Sequence, residues 1–363
     1  MKICILADSS SIHTVRWATA LKNEGFEVQI TTYVDSDVPG ILTHHLKTPK
    51  IKGISPTAPL WSRLHYLFGY RQAKQIIQDF KPDILHAYWA TSYGFLGARL
   101  NHSNFYISVW GREITHSAQH IFIRPMVVYA LKKAKKIFAT SHFLLQETEK
   151  YVNDCSKLVH IPFGIEKGKF YPIASGNDKK EVVIGSTKAF EAWYGIPELI
   201  DAFKLLVDEG TDKIRLILIG KGSQENLIRM KISDYNLDKI VEIIPPQPHE
   251  NLVKFLNKMD IYVIPSLTQS ETFGVAAAEA SACALPVVGS RIGGIPEVVA
   301  DGITGLLIEP GNIIQLKSAL KKLIDEPNLR KSMGQAGLKY IMEHYDWHKN
   351  VRSLIESYDD YND

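Results

Sequence analysis

The sequence predicts an α/β protein built from two Rossmann-like domains in series, facing each other across a cleft. Three observations support this prediction. Short apolar strands alternate with helix-length segments in the first half of the chain, a polar stretch interrupts the alternation, and a second series of the same kind follows. Strands separated by helices are typical of parallel sheets with right-handed crossovers. Two such domains leave a cleft at the carboxyl ends of their strands, where ligands bind.

The first half contains six segments with the length and composition of strands, interleaved with four of helical periodicity. The predicted strands are 2–6, 27–31, 83–87, 104–109, 136–139 and 158–161, and the predicted helices are 14–23, 60–80, 93–100 and 124–133.

Polar residues at 166–169 and 175–181 indicate the connection between the two halves. We therefore expect an N-terminal domain at 1–168 and a C-terminal domain at 169–345. The predicted strands of the second half are 182–185, 215–220, 241–244, 261–265, 286–288 and 305–308, and its helices are 196–209, 225–235, 251–259, 275–282, 314–325 and 328–358, the last one broken near residue 345.

The composition is typical of a soluble globular protein, with 45% hydrophobic and 22% charged residues among 363. No apolar run approaches the roughly 20 residues of a membrane span. The first residues lack the apolar region of a signal peptide, and the three cysteines are too scattered for a disulfide framework or a zinc site. We therefore expect a cytoplasmic protein.

Charge is distributed unevenly along the chain. Residues 1–170 contain 21 Lys and Arg against 12 Asp and Glu, a net charge of +9, and the remainder has a net charge of −6. This asymmetry suggests that one half faces something anionic, and a fluctuation of surface composition is the less favoured alternative.

The most informative motif follows the predicted strand 261–265. Glu271 lies in the loop after this strand, Gly274 opens a helix, and Glu279 lies further along that helix. The first amides of a helix, here those of Phe273, Gly274 and Val275, have no intrahelical partner and attract anions. Carboxylates accept hydrogen bonds from vicinal hydroxyls, so the motif suits a sugar nucleotide. An ordinary strand–loop–helix connection with a capping glutamate remains an alternative on spacing alone.

The wider pattern resembles the retaining glycosyltransferases of family four, which have the GT-B fold. The resemblance is specific over about forty residues, in which the two glutamates are followed by segments 284–289, 292–299 and 301–307. It implies that Glu271 contacts the hydroxyls of the donor sugar, that Glu279 binds the ribose, and that the amides of Phe273–Val275 contact the sugar and the diphosphate. We expect the C-terminal helix, about 346–363, to pack on the N-terminal domain.

Two positions depart from that family's usual pattern. Lys188 stands where these enzymes usually have an arginine for the diphosphate, and Tyr194 stands where a lysine usually follows. A lysine still supplies a point charge, whereas a tyrosine can only hydrogen-bond. We expect Lys188 to act in catalysis and Tyr194 to line the donor site, with the missing second cation either supplied elsewhere or replaced by the tyrosine hydroxyl. The Lys188–Tyr194 variant resembles transferases of capsule and surface-polysaccharide assembly.

Other candidates follow strands at positions that line a cleft. Gly220 and Gln247 are expected near the nucleotide. Glu113, with Arg112, is expected near the acceptor, where Trp110 replaces a histidine common in relatives; a solvated loop is the alternative. The serines of 9–11 are placed to contact the diphosphate or the acceptor, and capping of a helix is the equal alternative. His86 and Tyr88 face either the cleft or the core.

Basic and large apolar side chains also occur together at 60–71, at Arg124 and at 132–136. This combination suits contact with an anionic membrane surface, and ordinary amphipathic helices packed on a sheet give the same pattern. The expected location is therefore the cytoplasm, with association at the inner face of the membrane. Nothing in the sequence points to nucleic acid.

The resemblance implies a retaining hexosyltransferase that moves a sugar from a nucleoside diphosphate to a hydroxyl on a glycan or lipid-linked acceptor, in surface polysaccharide or glycolipid assembly. We prefer a UDP-sugar donor on frequency alone, and expect no cofactor and no metal. The alternatives are a sugar-nucleotide epimerase, a phosphorylase-like enzyme of the same fold, and a two-domain protein that binds a ligand without chemistry.

Overall fold

A computed structural model describes residues 1–47, 68–173 and 181–358 of the protein. Contacts divide the chain into two compact units. Unit 1 consists of Met1–Ile161 together with the chain from Val351 onward, and unit 2 consists of Pro162–Asn350. The predicted helix 60–80 lies partly outside the described residues. None of the helices within the described ranges is long and apolar enough to cross a membrane.

Unit 1 is built on a parallel sheet of seven described strands in the order β3-β2-β1-β4-β5-β6-β7. Its central strands are continuously apolar because helices cover both faces of the sheet. The strands are β1 Lys2–Leu6, β2 Glu27–Thr32, β3 Leu42–His45, β4 Ile84–Tyr88, β5 Phe105–Val109, β6 Lys136–Ala139 and β7 Leu158–His160. The helices are Ile12–Asn23, Tyr70–Phe80, Tyr93–Leu100, Arg112–Thr115, Arg124–Lys133 and His142–Glu149.

Unit 2 is built on a second parallel sheet, with six described strands in the order β10-β9-β8-β11-β12-β13. The strands are β8 Val182–Ser186, β9 Ile214–Ile219, β10 Val241–Ile244, β11 Ile261–Ile264, β12 Val287–Ser290 and β13 Gly305–Ile308. The helices are Ile196–Asp208, Glu225–Asp234, Leu252–Leu256, Val275–Ala282, Ile295–Val298, Ile313–Asp325 and Pro327–His344, and the helix Trp347–Glu356 crosses from unit 2 into unit 1.

Each sheet has its own apolar core. Leu6, Leu85, Ile107 and Ile137 are among the residues of the unit 1 core, and Ile184, Leu216, Val263 and Val288 are among those of unit 2. Each sheet also has a point where the strand order reverses: between β1 and β4 in unit 1, and between β8 and β11 in unit 2. In doubly wound sheets such a point opens a crevice at the carboxyl ends of the strands, which is where ligands bind.

The α/β prediction is confirmed, and the differences are local. The strand Leu42–His45 was not predicted, because it is an edge strand with four partly or fully exposed side chains and no apolar run. The short helix Arg112–Thr115 and the helix His142–Glu149 were also missed. The predicted break near residue 345 is confirmed, since one helix ends at His344 and the next begins at Trp347.

Candidate active site

The predicted donor motif lies beside the reversal point of the unit 2 sheet. The strand β11 ends at Ile264, and after a loop the helix Val275–Ala282 begins. Gly274 precedes this helix with a left-handed φ of 92°, and no side chain caps the helix. A Cβ at Gly274 would lie 3.0 Å from Val298 Cγ2, so space and backbone both favour glycine here.

The adjacent glycines Gly293 and Gly294 shape the loop that contains Glu271. Gly294 N donates a hydrogen bond to Glu271 O at 3.0 Å. A Cβ at Gly293 would lie 2.0 Å from Glu271 O, and a Cβ at Gly294 would lie 2.2 Å from Thr272 O. The two backbones therefore touch directly, and side chains at 293 or 294 would push the Glu271 loop away.

Glu271 is paired with a lysine 83 residues away. Lys188 Nζ lies 2.5 Å from Glu271 Oε2, and the two side chains are only 12% and 9% exposed. The same ammonium lies 4.2 Å from the centroid of the Tyr194 ring, a cation–π contact. Burial lowers the pKa of Lys188, but the Glu271 carboxylate outweighs it and the net shift is upward. Lys188 is therefore charged.

Backbone contacts connect the Lys188 loop with its neighbours. Leu267 N donates to Trp193 O at 2.9 Å, and a Cβ at Gly195 (φ 68°) would lie 2.0 Å from Pro265 O. A Cβ at Gly220 would lie 2.6 Å from Lys188 O. Gly220 thus supports the loop that carries the cation. These contacts bring the loops after β8, β9 and β11 together.

Glu279 has a partner that the sequence did not reveal. His249 Nε2 lies 2.6 Å from Glu279 Oε1, and the side chains are 25% and 5% exposed. The His249 ring also contacts Phe170, with centroids 5.2 Å apart. The predicted candidate Gln247, two residues earlier, donates to Pro245 O at 2.9 Å and so closes its own turn. The signal for His249 was its position in the loop after a strand, but its 30-residue separation from Glu279 concealed the pair.

A buried tyrosine lies beneath these groups. Tyr262 on β11 shares a hydrogen bond of 2.8 Å with Thr187 Oγ1, next to Lys188 in the chain. Burial raises the pKa of Tyr262 to about 12, while the nearby Lys188 charge opposes that shift. The tyrosine is therefore neutral and fixes the start of the Lys188 loop.

In unit 1, Glu113 is turned toward its own backbone. Its Oε1 accepts a hydrogen bond from Trp110 N at 2.5 Å, and the residue is 5% exposed. Burial raises the pKa of Glu113, although the amides of Trp110, Glu113 and Gly111 oppose the shift. This geometry gives Glu113 a structural role, because its carboxylate holds the turn after β5. The neighbouring Arg112 is exposed. Contact of Glu113 with an acceptor stays a prediction.

The structure places His86 in the core of unit 1. Its Nδ1 lies 2.8 Å from the Tyr358 hydroxyl and its Nε2 lies 2.9 Å from Ser108 Oγ. Burial lowers the pKa of His86 to about 3, so the ring is neutral. Core packing is therefore the correct alternative for this residue.

The serines of the first loop are engaged locally. Ser9 Oγ donates to Ser36 O at 2.7 Å, and Ser10 Oγ donates to Asp8 Oδ1 at 2.6 Å. Ser11 is the N-cap residue of the first helix, but its side chain makes no capping hydrogen bond. The side-chain cap considered for this loop is therefore absent at Ser11.

Comparison with known proteins is consistent with this architecture. Residues 169–340 match the family model of group 1 glycosyl transferases, and residues 2–141 match a glycosyl transferase 4-like model. An uncharacterized glycosyltransferase from Methanocaldococcus jannaschii is 27% identical over 360 residues, 97% of this chain and 95% of that protein. A D-inositol 3-phosphate glycosyltransferase from Actinosynnema mirum is 23% identical over 97% of this chain and 92% of its own.

A solved structure supports the fold. The HepE protein from Anabaena, in complex with UDP-glucose, superimposes with a TM-score of 0.81 at 16% identity, covering 98% of this chain and 99% of that one. The family models together account for most of the chain, and the relative from M. jannaschii aligns over almost all of it. The chain therefore belongs to the group 1, or family-four, glycosyltransferases with the GT-B fold, and it is a hexosyltransferase.

Proposed function

We propose that this enzyme transfers a hexosyl group from a nucleoside diphosphate sugar, with UDP as the preferred carrier, to a hydroxyl acceptor with retention at the anomeric carbon. The observation that supports this most is the Lys188–Glu271 pair at the reversal point of the unit 2 sheet. One cation and one carboxylate, nearly excluded from water, match the phosphate and the hydroxyls of such a donor. A UDP-sugar complex is known for the HepE structure.

The proposed roles follow from charge and position. The diphosphate takes the place of Glu271 as the partner of Lys188, and the sugar hydroxyls take the place of Lys188 on Glu271. Amides at the start of the helix Val275–Ala282 contact the diphosphate, and Glu279 accepts hydrogen bonds from the ribose. In this proposal Tyr194 acts on Lys188 rather than on phosphate, because its ring packs against the ammonium.

The reaction proceeds on one face of the sugar. The bond from the anomeric carbon to the leaving phosphate oxygen breaks, and the bond to the acceptor oxygen forms on the same side. The acceptor proton passes to the departing diphosphate. Lys188 and the helix amides stabilise the charge that grows on that diphosphate, which is the contribution expected of preorganised groups. We propose that these groups suffice without a divalent metal.

The proposal also covers the chemical class of the acceptor. We favour a glycan or lipid-linked acceptor in surface polysaccharide or glycolipid assembly, on the ground of the Lys188–Tyr194 variant. The relative from A. mirum is named for an inositol phosphate acceptor, so the family includes small polar acceptors as well. Product analysis checks this proposal, because transfer to an acceptor forms a new glycosidic bond and leaves a free nucleoside diphosphate.

We also propose peripheral contact with an anionic membrane through unit 1. Residues 114–146 contain five Lys and Arg and no Asp or Glu. Within this segment Ile121 is 76% and Phe122 is 66% exposed, and Arg124 follows two residues after Phe122. Exposed apolar tips among basic side chains complement the acyl boundary and the negative charge of such a surface.

The central experiment compares Glu271→Gln with the exposed matched control Glu343→Gln. Wild-type enzyme is first screened for stabilisation by UDP- and GDP-hexoses, since a ligand at about a hundred times its Kd adds about 2.7 kcal/mol. With the best donor, Glu271→Gln should lower transfer at least about a hundredfold, whereas Glu343→Gln should not. Full activity of Glu271→Gln, or a product with an altered donor and no new glycosidic bond, contradicts the proposal.

A further inference from the structure

A cluster of aromatic rings occupies the reversal point of the unit 1 sheet. His13 lies in the helix after β1, Tyr88 is the last residue of β4, Trp89 follows it, and Trp110 follows β5. The Trp110 centroid lies 4.5 Å from that of Tyr88, 4.7 Å from that of Trp89 and 5.8 Å from that of His13. We call these four rings the aromatic floor. In a doubly wound sheet this crevice is the expected ligand site.

The floor contains a strained residue. Trp89 has a φ of 67°, a left-handed conformation that costs a side-chain-bearing residue about 1–2 kcal/mol. Its carbonyl accepts a hydrogen bond from Gly94 N at 2.9 Å, and a Cβ at Gly94 would lie only 2.7 Å from that oxygen. The turn therefore holds the Trp89 ring against Trp110 despite the strain. Non-glycine residues in this region of backbone space cluster at functional sites.

The Tyr88 and Trp110 rings of the floor are held in place by their buried surroundings. Tyr88 is 1% and Trp110 is 9% exposed, and the Glu113 carboxylate holds the Trp110 amide. The Tyr88 hydroxyl is buried, has no hydrogen-bond partner among the described residues, and has its pKa raised by burial, so it is protonated. Trp89 and His13, by contrast, are half-buried and accessible. The floor thus combines two buried rings, Tyr88 and Trp110, with two accessible ones, Trp89 and His13.

The aromatic floor matches the apolar face of a sugar ring. The C–H bonds of a pyranose direct partially positive hydrogens at one face, and the face of an aromatic ring is negative. Ring stacking orients a neutral ring and leaves its hydroxyls free. A small anionic acceptor would instead be held by permanently charged lysine or arginine side chains, and none of the four floor residues is of that kind.

We propose that Trp89 and His13, supported by the buried Trp110 ring, form an acceptor subsite that stacks a neutral pyranose, so that the acceptor is the terminal sugar of a glycan. The inference rests on the proposed transferase function and adds the class of acceptor. Trp89 is the residue that contacts the sugar, and Glu113 is a positioning residue that acts through Trp110.

The test uses methyl α-D-glucopyranoside, methyl α-D-mannopyranoside and methyl α-D-galactopyranoside as neutral probes, with L-malate and inositol 1-phosphate as anionic probes. Saturation-transfer NMR on the full chain should show contact with at least one glycoside, with saturation strongest at its ring C–H protons. Binding of the anionic probes alone would overturn the inference.

Substitution separates the acceptor subsite from the donor site. Trp89→Leu should raise the KM for the accepted glycoside about tenfold, and Trp89→Phe about threefold or less. The matched control Tyr129→Leu changes an exposed ring of unit 1 and should leave the KM for the glycoside unchanged. The affinity of all three variants for UDP should stay within twofold of wild type.

An unchanged glycoside KM in Trp89→Leu overturns the inference. If Trp89→Leu does not fold, Trp110→Phe replaces it, with a KM increase expected and an unchanged KM again contradicting the proposal. Failure of the transferase function itself looks different, because wild-type enzyme would then bind no nucleotide sugar at all.

Discussion

At the scale of single residues, the position of Tyr194 is the clearest departure from the family pattern. The family usually has a second cation there, and this chain instead places an aromatic ring 4.2 Å from the Lys188 ammonium. A ring on that side and a carboxylate 2.5 Å away hold the ammonium in one place. We infer that the enzyme works with one well-oriented cation rather than two.

Substitutions at Tyr194 test this inference. Tyr194→Phe keeps the ring, so kcat/KM for donor should stay within about twofold, whereas Tyr194→Leu should lower it about fivefold. Steady-state kinetics at saturating acceptor gives both values. If the Tyr194 hydroxyl itself contacts phosphate, Tyr194→Phe will lose as much activity as Tyr194→Leu.

His249 provides a second residue-scale prediction. Its hydrogen bond of 2.6 Å to Glu279 should fix the carboxylate that the proposal assigns to the ribose. His249→Leu should weaken UDP binding about tenfold, since hydrogen bonds to charged groups contribute about 1.5–3 kcal/mol. Calorimetry with 2′,3′-dideoxyuridine diphosphate supplies the control, because a ligand without ribose hydroxyls should bind both proteins alike. Equal weakening for both ligands would show that His249 acts elsewhere.

At the scale of elements, the turn at Gly293 and Gly294 determines where the Glu271 loop lies. A methyl group at 294 would lie 2.2 Å from Thr272 O, and the neighbouring backbone cannot yield as a side chain does. Gly294→Ala should therefore abolish transfer and lower the free energy of unfolding by about 2–3 kcal/mol.

A matched glycine isolates the effect of the clash. Gly302 has a φ of +75° but has no atom within 4 Å of a Cβ, so Gly302→Ala adds backbone strain of about 1 kcal/mol without contact. Transfer should survive in this variant. Activity assays and denaturant unfolding of both variants measure these effects. An active Gly294→Ala enzyme would contradict the predicted role of this turn.

The second element is the exposed turn before the helix Arg124–Lys133. Ile121→Ser combined with Phe122→Ser should reduce binding to phosphatidylglycerol vesicles at least about tenfold, because both apolar tips are lost. Ile303→Ser in unit 2, where Ile303 is 65% exposed, is the matched control. Sedimentation with phosphatidylcholine vesicles should show little binding of any variant. Equal vesicle binding by wild type and the double variant would refute membrane contact through this turn.

At the scale of the whole molecule, the chain leaves unit 1 at Ile161 and returns to it at Val351. Tyr358 then bonds His86, 272 residues earlier, and Lys136 Nζ donates to Ser357 O at 2.9 Å. The neutral His86 ring is a condition of this closure, since a buried imidazolium without a counter-charge is costly.

This closure predicts that acid destabilises unit 1. Burial lowers the pKa of His86 to about 3 and that of His160 to about 4, so the unfolded chain binds more protons than the folded one between those values and about 6.5. Stability therefore falls as pH falls through about 6.5. For His86 alone the loss at pH 5.5 should be about 1.4 kcal/mol.

Denaturant unfolding at pH 7.5 and 5.5 measures this loss, with a probe in unit 1 because the two units need not unfold together. His86→Asn is less stable at both pH values, but its pH dependence should be smaller by the contribution of one histidine. An unchanged pH dependence in that variant would show that other groups are responsible.

The sequence alone determined the fold class and the donor motif, for reasons that are local. Parallel strands covered on both faces must be apolar throughout, so alternation with helices is visible in the sequence. Strand β3 was not predicted, because this edge strand has exposed and partly exposed side chains and no continuous apolar run. The spacing of Glu271, Gly274 and Glu279 is local as well, since one loop and one helix contain all three.

The tertiary structure alone decided which side chains of the candidate site and of the unit 1 core form pairs. Lys188 meets Glu271 because the loops after β8 and β11 converge where the strand order of the sheet reverses, and His249 meets Glu279 because the loop after the edge strand β10 reaches the helix that follows β11. His86 and Tyr358 meet because the chain returns to its first sheet. Partners separated by 30, 83 and 272 residues leave no periodic trace, since only the packing of the folded chain sets their distance.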